Sequence, residues 1–544
     1  MWPWKMRSFA GVVVLLGALS AAPAALVEGN TAVNAVATQV RPNVVLIMVD
    51  DMRKDDLRFM PQTRRLIGDR GVRFANAFSP HPICCPARAS VLTGWYTHNH
   101  GVYTVNEPFA FPSLPDRSTI ATWLQRSGYA TVYLGKYLNG YGWLPEPGKT
   151  TGNSVRYVPP GWTAWRGSID RGLPQTHWAA GGTYQYYDTT LNVNGDHFEN
   201  YEGRYQSHVY GDLSVDIIRY RASQAAPFFF YVSYTAPHNG APFEADDPGL
   251  VTGSDGHTEQ FGTPARPRNV WGMFNAVIPR APGATWDKSR ASHKPDYLRS
   301  IEPPNQAETR AMTTLTRQRA EALAVVDRQV GRAIQALADA GELGRTFVMF
   351  TSDNGFFLGE QGIRQGKLLP HEPSLRVPML MRGPAIPANE VRHDPFLSID
   401  FPSTIAAATQ IPLGHVVDGV NMLGIARNGD QGWTRPVLTA TGPGGVVRQT
   451  DQAGEPLDVT DPGARDLRWA LGIRTNRDLF VDLASGEEEL YDHRTDPEQY
   501  NNVAAHPDYA VVRDLLREQL RQVRACDGPV CKTPLPPSLQ TPVR

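Results

Sequence analysis

Residues Val44 to Val49 read Val-Val-Leu-Ile-Met-Val, an unbroken apolar run that stops at two carboxylates, Asp50 and Asp51. Side chains alternate between the two faces of a strand, so an all-apolar run predicts a strand covered on both faces, as in a parallel sheet flanked by helices. A second run, Thr346 to Ser352, repeats the pattern and stops at Asp353-Asn354-Gly355. Open α/β sheets gather ligands beyond the carboxyl ends of their strands, which is where both acidic groups fall. Carboxylates and amides are hard oxygen ligands suited to Ca²⁺ or Mg²⁺. Taken singly, each acidic group reads as a turn. Two of them, each closing an apolar strand, argue against coincidence.

Two further strands end in reactive side chains. Thr131 to Leu134 runs into Gly135-Lys136-Tyr137-Leu138-Asn139, and Phe228 to Tyr234 is followed by Ala236-Pro237-His238. A lone lysine or histidine in such a place is usually a solvated charge or a structural hydrogen-bonding group. Between the acidic strand ends lies Cys84-Cys85-Pro86-Ala87-Arg88-Ala89-Ser90-Val91-Leu92-Thr93-Gly94. Pro86 suits the first turn of a helix, where its missing N–H is not needed. Cys84 then sits at the positive helix end, a natural place for an anion, and Arg88 shares its face at i, i+4. Gly366-Lys367 and Glu372-Pro373-Ser374-Leu375-Arg376-Val377-Pro378 complete the set.

In this order the motifs resemble the formylglycine-dependent sulfatases, from about Asn43 to Pro384, with a weaker match at Glu489 to Pro497. Within that family the likeness is to the N-acetylglucosamine-6-sulfatase and heparan endosulfatase branch. It rests on Cys84-Cys85-Pro86, Thr97-His98-Asn99-His100, Gly135 to Tyr141 and Tyr157 to Trp162. The resemblance implies an α/β fold of the alkaline-phosphatase-like kind: a large central mixed, mostly parallel sheet flanked by helices, with a smaller C-terminal α+β subdomain. It implies that Cys84 becomes 3-oxoalanine (formylglycine), made by a formylglycine-generating enzyme, and serves as nucleophile. It assigns Ca²⁺, with Mg²⁺ as the alternative, to Asp50, Asp51, Asp353, Asn354 and the modified Cys84.

By the same resemblance Arg88 stabilises the modified residue, Lys136 and Lys367 contact sulfate oxygens, and His238 protonates the leaving alcohol. Many sulfatases carry a histidine two places after the lysine, and this chain has Leu138 there. The identity of the base stays open, with Asn139, His98 and His100 as candidates for a supporting role. The expected activity is hydrolysis of sulfate monoesters, with N-acetylglucosamine-6-sulfate or related sulfated glycans as the candidate substrates. The alternatives are a phosphonate or phosphate ester hydrolase of the same superfamily and a non-catalytic sulfated-glycan-binding protein.

With 544 residues, 41% hydrophobic and 20% charged, the chain fits one large domain plus a smaller one. A formal net charge of -1 gives no basic footprint for nucleic acid. Local cations must therefore meet an anionic substrate. Lys5 and Arg7 precede an apolar stretch from Phe9 to Leu19, then Ala22-Pro23-Ala24. That is the pattern of a secretory signal peptide over 1–24, too short for a membrane anchor, and it predicts a secreted or periplasmic protein with no stable membrane insertion. Of four cysteines, Cys526 and Cys531 are spaced for a local disulfide in an oxidising compartment. Cys84 and Cys85 are not, because adjacent Cα atoms lie ~3.8 Å apart and usual disulfides need ~4.4 Å or more.

The expected organisation is a leader over 25–42, a catalytic domain over 43–411, a C-terminal subdomain over 412–525 and a tail over 526–544, mobile from Thr533. Residues 239–305 lack periodicity and are expected to wall the substrate cleft. Leu315, Leu323, Val326, Val330, Ile334 and Leu337 predict a helix over 308–340 that stops at Gly341. Residues 468–473 and 478–483 predict a hairpin, and 511–523 a closing amphipathic helix.

Overall fold

The computed structural model describes residues 41–442 and 469–541. The expected signal peptide and the leader up to residue 40 lie outside the described residues, as does Arg468. Ten strands form the central sheet: β1 (Asn43–Val49), β2 (Val72–Phe74), β3 (Ala130–Lys136), β4 (Ala164–Ser168), β5 (Thr190–Val193), β6 (His197–Asn200), β7 (Phe228–Ser233), β8 (Thr346–Ser352), β9 (Met379–Arg382) and β10 (Glu390–Arg392). Their order is β10-β2-β9-β8-β1-β7-β3-β4-β5-β6. The five strands β8-β1-β7-β3-β4 are parallel throughout, and antiparallel pairs lie toward the edges.

The apolar run of β1 does what its pattern predicts. Val44, Leu46 and Met48 enter the core on one face of the sheet, and Val45, Ile47 and Val49 enter the core on the other. The first face is covered by α1 (Cys84–Thr93) and its neighbours, the second by α2 (Gln206–Ala222) and α3 (Gln306–Asp339). Helix α3 begins at a reciprocal cap between Asn305 and Glu308 and buries all six residues of the predicted stripe. Gly341 follows at φ 72, a left-handed turn that ends the helix and leads the chain into β8.

The segment 239–305 holds only short elements, yet it is anchored. Arg266, fully buried, pairs with Glu244 and Asp246 on its own segment and with Glu321 of α3. Beyond it, β11 (Val437–Thr441), β12 (Ala470–Arg474), β13 (Asp478–Leu483) and β14 (Glu488–Asp492) form an antiparallel meander, against which α4 (Ala510–Val523) packs. The hairpin and the closing helix lie where the pattern placed them.

Two expectations change. Residues 412–428 were assigned to the C-terminal subdomain, but Val417, Met422, Leu423 and Ala426 pack into the core of the large sheet, so the meander starts at Val437. The tail was expected to be mobile from Thr533. Instead Leu535 and Leu539 are buried, and Leu535 and Thr541 hydrogen-bond the backbone of Thr434 and Trp433. Two leucines in a Pro-rich end are enough apolar surface to dock it. A disulfide joins Cys526 to Cys531. Among the described residues no helix is long and apolar enough to cross a membrane.

Candidate active site

Four adjacent parallel strands deliver the site. Asp50 and Asp51 follow β1, Asp353 and Asn354 follow β8, Lys136 is the last residue of β3, and His238 lies just beyond β7. Chain reversal at these ends requires unusual backbone. Asp51 takes φ 66, held by its N–H donating to Asp353 Oδ1 (3.1 Å) and by the Arg319 guanidinium donating to its carbonyl. Gly135 takes φ 105, and a Cβ there would lie 2.0 Å from the Ser233 carbonyl oxygen, so only glycine lets β3 approach β7.

Helix α1 points its N-terminus at this rim, with Cys84 as its first residue and Gly94, at φ 78, as its left-handed stop. Arg88, one turn on, ties the strand ends together. Its Nε donates to Asp353 Oδ2 (2.8 Å), and its Nη1 to Ser233 Oγ (2.7 Å) and the Lys136 carbonyl (2.9 Å). Its Nη2 lies 3.5 Å from Asp50 Oδ2. Lys136 pairs with Asp50, and Lys367 Nζ stands 2.8 Å from both Asp51 Oδ1 and Cys84 Sγ. Cys84 Sγ is also 3.1 Å from Asp50 Oδ1. His238 Nδ1 donates to the Asn239 carbonyl (2.8 Å), since a carbonyl can only accept. That leaves Nε2, 3.8 Å from Asp51 Oδ2, as the atom able to exchange a proton.

All these side chains are buried, so the charges meet in a low dielectric. Burial pushes the Cys84 thiol well up, and the Asp50 carboxylate adds to the effect, which keeps it protonated. Burial also raises Asp353, to about 6, with Asp50 reinforcing it against Arg88. For Asp50 itself burial is outweighed by Lys136, His238, Arg88 and Lys367, and its carboxyl falls well below the ordinary range.

The donor set suits a hard divalent ion. Single ligand atoms of Asp50, Asp51, Cys84 and His238 all lie within 4.8 Å of one another. Asn354 donates through Nδ2 to Asp51 Oδ1 (2.7 Å), while its Oδ1 is buried with no hydrogen-bond partner. A buried amide oxygen of that kind calls for a cation or a donor. Cys84 supplies sulfur, a soft atom among oxygens; an oxygen at that position would match the set.

The structure thus brings together Asp50, Asp51, Cys84, Arg88, Lys136, His238, Asp353, Asn354 and Lys367. The three supporting candidates go elsewhere. His98 Nε2 meets the carbonyl of Cys526 (2.8 Å), and His100 Nε2 meets Ser90 Oγ (3.1 Å), with burial holding His100 down at about 3. Asn139 acts at one remove, donating to the Tyr184 hydroxyl (2.8 Å). The half-buried Tyr184 ring lies 4.9 Å from Lys136 Nζ and 4.9 Å from the His238 ring. Tyr184, Arg319 and Ser233 were missed from the sequence. Ser233 is a polar strand end like the others and could have been found. Arg319 is a buried cation on the core face of a helix, and Tyr184 lies in a loop without periodicity.

The sheet and its flanking helices have the alkaline-phosphatase-like α/β fold. Within it the chain belongs to the sulfatase family, whose family model (Sulfatase) matches residues 42–411. The chain is a sulfuric ester hydrolase. It is 29% identical over 540 residues to the N-acetylglucosamine-6-sulfatase of Capra hircus, covering 91% of this chain and 85% of that protein. It is 32% identical over 397 residues to the extracellular sulfatase SULF-1 homolog of Drosophila melanogaster, covering 71% of this chain but only 31% of that protein's length. Among solved structures it resembles BT4656 in complex with its substrate D-glucosamine-2-N,6-O-disulfate, at a TM-score of 0.63 and 21% identity, covering 90% of this chain and 99% of that one.

Proposed function

We propose that this sulfatase is exported, matures by conversion of Cys84 to formylglycine, holds Ca²⁺ and removes 6-O-sulfate from glucosamine units of a glycan. The observation that carries the metal and nucleophile reading is the cradle of carboxylate and amide oxygens from two neighbouring strand ends around one sulfur at a helix N-terminus. The substrate reading is supported by the relatives' names and by the sulfated glucosamine bound to the similar solved structure. Export is supported by the signal-peptide pattern over 1–24 and by the extracellular relative.

Asp50, Asp51, Asp353 and Asn354 would hold the ion, which supplies Lewis-acid charge neutralisation at the sulfate ester. A hydrated aldehyde at position 84 supplies oxygen nucleophile and hard ligand together. The chain's own residues do the rest. Arg88 fixes the carboxylates and the strand ends. Lys136 and Lys367, buried beside Cys84, stabilise negative charge growing on the sulfuryl oxygens. His238 Nε2 delivers a proton to the leaving alcohol, and the Asn239 carbonyl fixes its ring orientation.

The test is threefold. Mass spectrometry of the Cys84 peptide, after coexpression with a formylglycine-generating enzyme, should show the aldehyde at Cys84 and a thiol at Cys85. Chelation should abolish turnover and Ca²⁺ restore it. On a panel of defined sulfated monosaccharides and an aryl phosphonate, 6-sulfated glucosamines should be the preferred substrates. Preference for the phosphonate, or full activity of Cys84→Ala, would overturn the reading.

A further inference from the structure

Lys367 rides on a long loop between β8 and β9, and the loop's backbone is strained. Gln361 takes φ 59, Gly366 φ 114 and Leu368 φ 85. A bulky residue such as leucine in the left-handed region persists only where its surroundings over-determine it. Leu368 N–H donates to the Pro82 carbonyl (3.1 Å), just ahead of Cys84, which fixes the inner side of the loop.

The outer side is fixed by the C-terminal meander. His371 Nε2 donates to Glu489 Oε2 of β14 (2.8 Å), and neither side chain is exposed at all. The same carboxylate receives the Tyr297 hydroxyl on Oε1 (2.6 Å) and the Tyr491 hydroxyl on Oε2. Glu489 is therefore a buried anion saturated by donors from three separate parts of the chain. Next to it, Gln499 Oε1 accepts from the Glu372 N–H (2.9 Å), and Arg474 Nε donates to Glu372 Oε1 (2.8 Å). Gln361 Nε2 donates to the carbonyl of Gln499 (2.9 Å). The contacts of Gln361, His371 and Glu372 join the loop to the meander or the segment after it, on either side of Lys367. The match noted at Glu489-Leu490-Tyr491-Asp492 has no part in the metal cradle or the proton transfer; this network gives it one.

We propose that Glu489 is a positioning residue for Lys367: the C-terminal sheet, through the His371–Glu489 pair, holds the strained loop so that the Lys367 ammonium stands beside Cys84 and Asp51. The proposal rests on the role given to Lys367 above and adds the device that places it. A truncated or loosened C-terminal sheet leaves the metal ligands where they are and displaces this one cation.

A double-mutant cycle tests it, with kcat/KM on a nitrophenyl sulfate and thermal denaturation recorded for the wild type, Glu489→Gln, Lys367→Ala and the double variant. Misplacing a catalytic group by ~1 Å can lower rates by ~10²-fold, so Glu489→Gln should lose between ~10- and ~10²-fold in a wild-type background. It should lose almost nothing further in Lys367→Ala, while lowering the melting temperature equally in both. The same factor lost in both backgrounds would overturn the proposal, because Glu489 would then act on the fold or on other groups. Unchanged kcat/KM with a lowered melting temperature would overturn it too. A wild-type rate in Lys367→Ala would instead remove the role of Lys367, a separate failure visible in the single variant. If Glu489→Gln does not fold, Gln499→Gly decides. At φ 61 glycine fits the backbone there, the acceptor for Glu372 is removed, and the melting temperature reports the packing lost with the buried side chain. It should show the same dependence on Lys367, and an additive loss would overturn the clamp.

Discussion

Tyr184 lies half-buried against both Lys136 and His238, with its hydroxyl held by Asn139. A ring face beside an ammonium is worth about 0.5–2 kcal/mol, so Tyr184→Phe should keep most activity. Tyr184→Ala should raise KM and lower kcat together, as steady-state kinetics on a sugar sulfate would show. His238 has its own signature. His238→Ala should lower hydrolysis of sugar sulfates, whose alkoxides leave poorly, by the ~10²–10⁴-fold typical of general acid catalysis. Activated aryl sulfates should lose far less, and an equal loss on both would assign His238 to sulfate binding. The contrast with the sequence is instructive at this scale. Lys136 and His238 were legible because each closes an apolar strand. Tyr184 was not, because a loop tyrosine gains its meaning only from neighbours 45 and 48 residues away in sequence that no periodicity reveals.

Helix α3 does more at the scale of elements than cover the sheet. Its apolar stripe was readable from 3.6-residue spacing, and so was its stop at Gly341. Its reach under the site was not, since the hydrogen bonds of Arg319 go to backbone: its two Nη atoms donate to the carbonyls of Asp51 and Pro237, with the Asp56 carboxylate further off at 4.0 Å. Lysine cannot serve both carbonyls with one planar fork. Arg319→Lys should therefore relax the strained Asp51 and raise the Ca²⁺ concentration needed for half-maximal activity, with the secondary structure content unchanged by circular dichroism. An unchanged Ca²⁺ requirement would confine Arg319 to packing. Four of the five parallel strands were predicted because burial on both faces writes itself into composition; β4, whose first and third residues are only partly buried, was not. The antiparallel edge strands were not, because runs of three or four residues carry too little pattern.

For the molecule as a whole, the buried network at the C-terminal meander sets acid sensitivity. Burial pushes Glu489 up, but His371, Lys294 and Tyr297 outweigh it and hold the carboxyl at about 2, against an ordinary 4.5. Glu372 is likewise well below its ordinary value, with burial overcome by Arg474, Arg376 and His493. For carboxyls depressed on folding, the stability they contribute is complete above about pH 4.5 and is lost as pH falls toward about 2. The melting temperature should drop through that window, and Glu489→Gln should flatten the drop. The domain boundary and the docked tail were misjudged for a related reason. A change from long to short strands marks where a pattern ends, not which core the intervening residues join, and Val417 to Ala426 joined the larger one.

The dispersal of the cradle along the chain also makes ligand binding and folding a single equilibrium. Asp51 and Asp353 are 302 residues apart and meet only when β1 and β8 are registered side by side. An unfolded chain offers no such constellation, so a cation that binds the native site must raise the melting temperature by an amount that grows with the logarithm of its concentration. A calcium titration of thermal unfolding thus reads the assembly of the sheet itself, independently of turnover, and Asp353→Asn should flatten that slope even with no substrate present. Because the two halves of the cradle lie 302 residues apart in sequence on neighbouring strands, no proteolytic fragment that splits them should retain any thermal response to calcium.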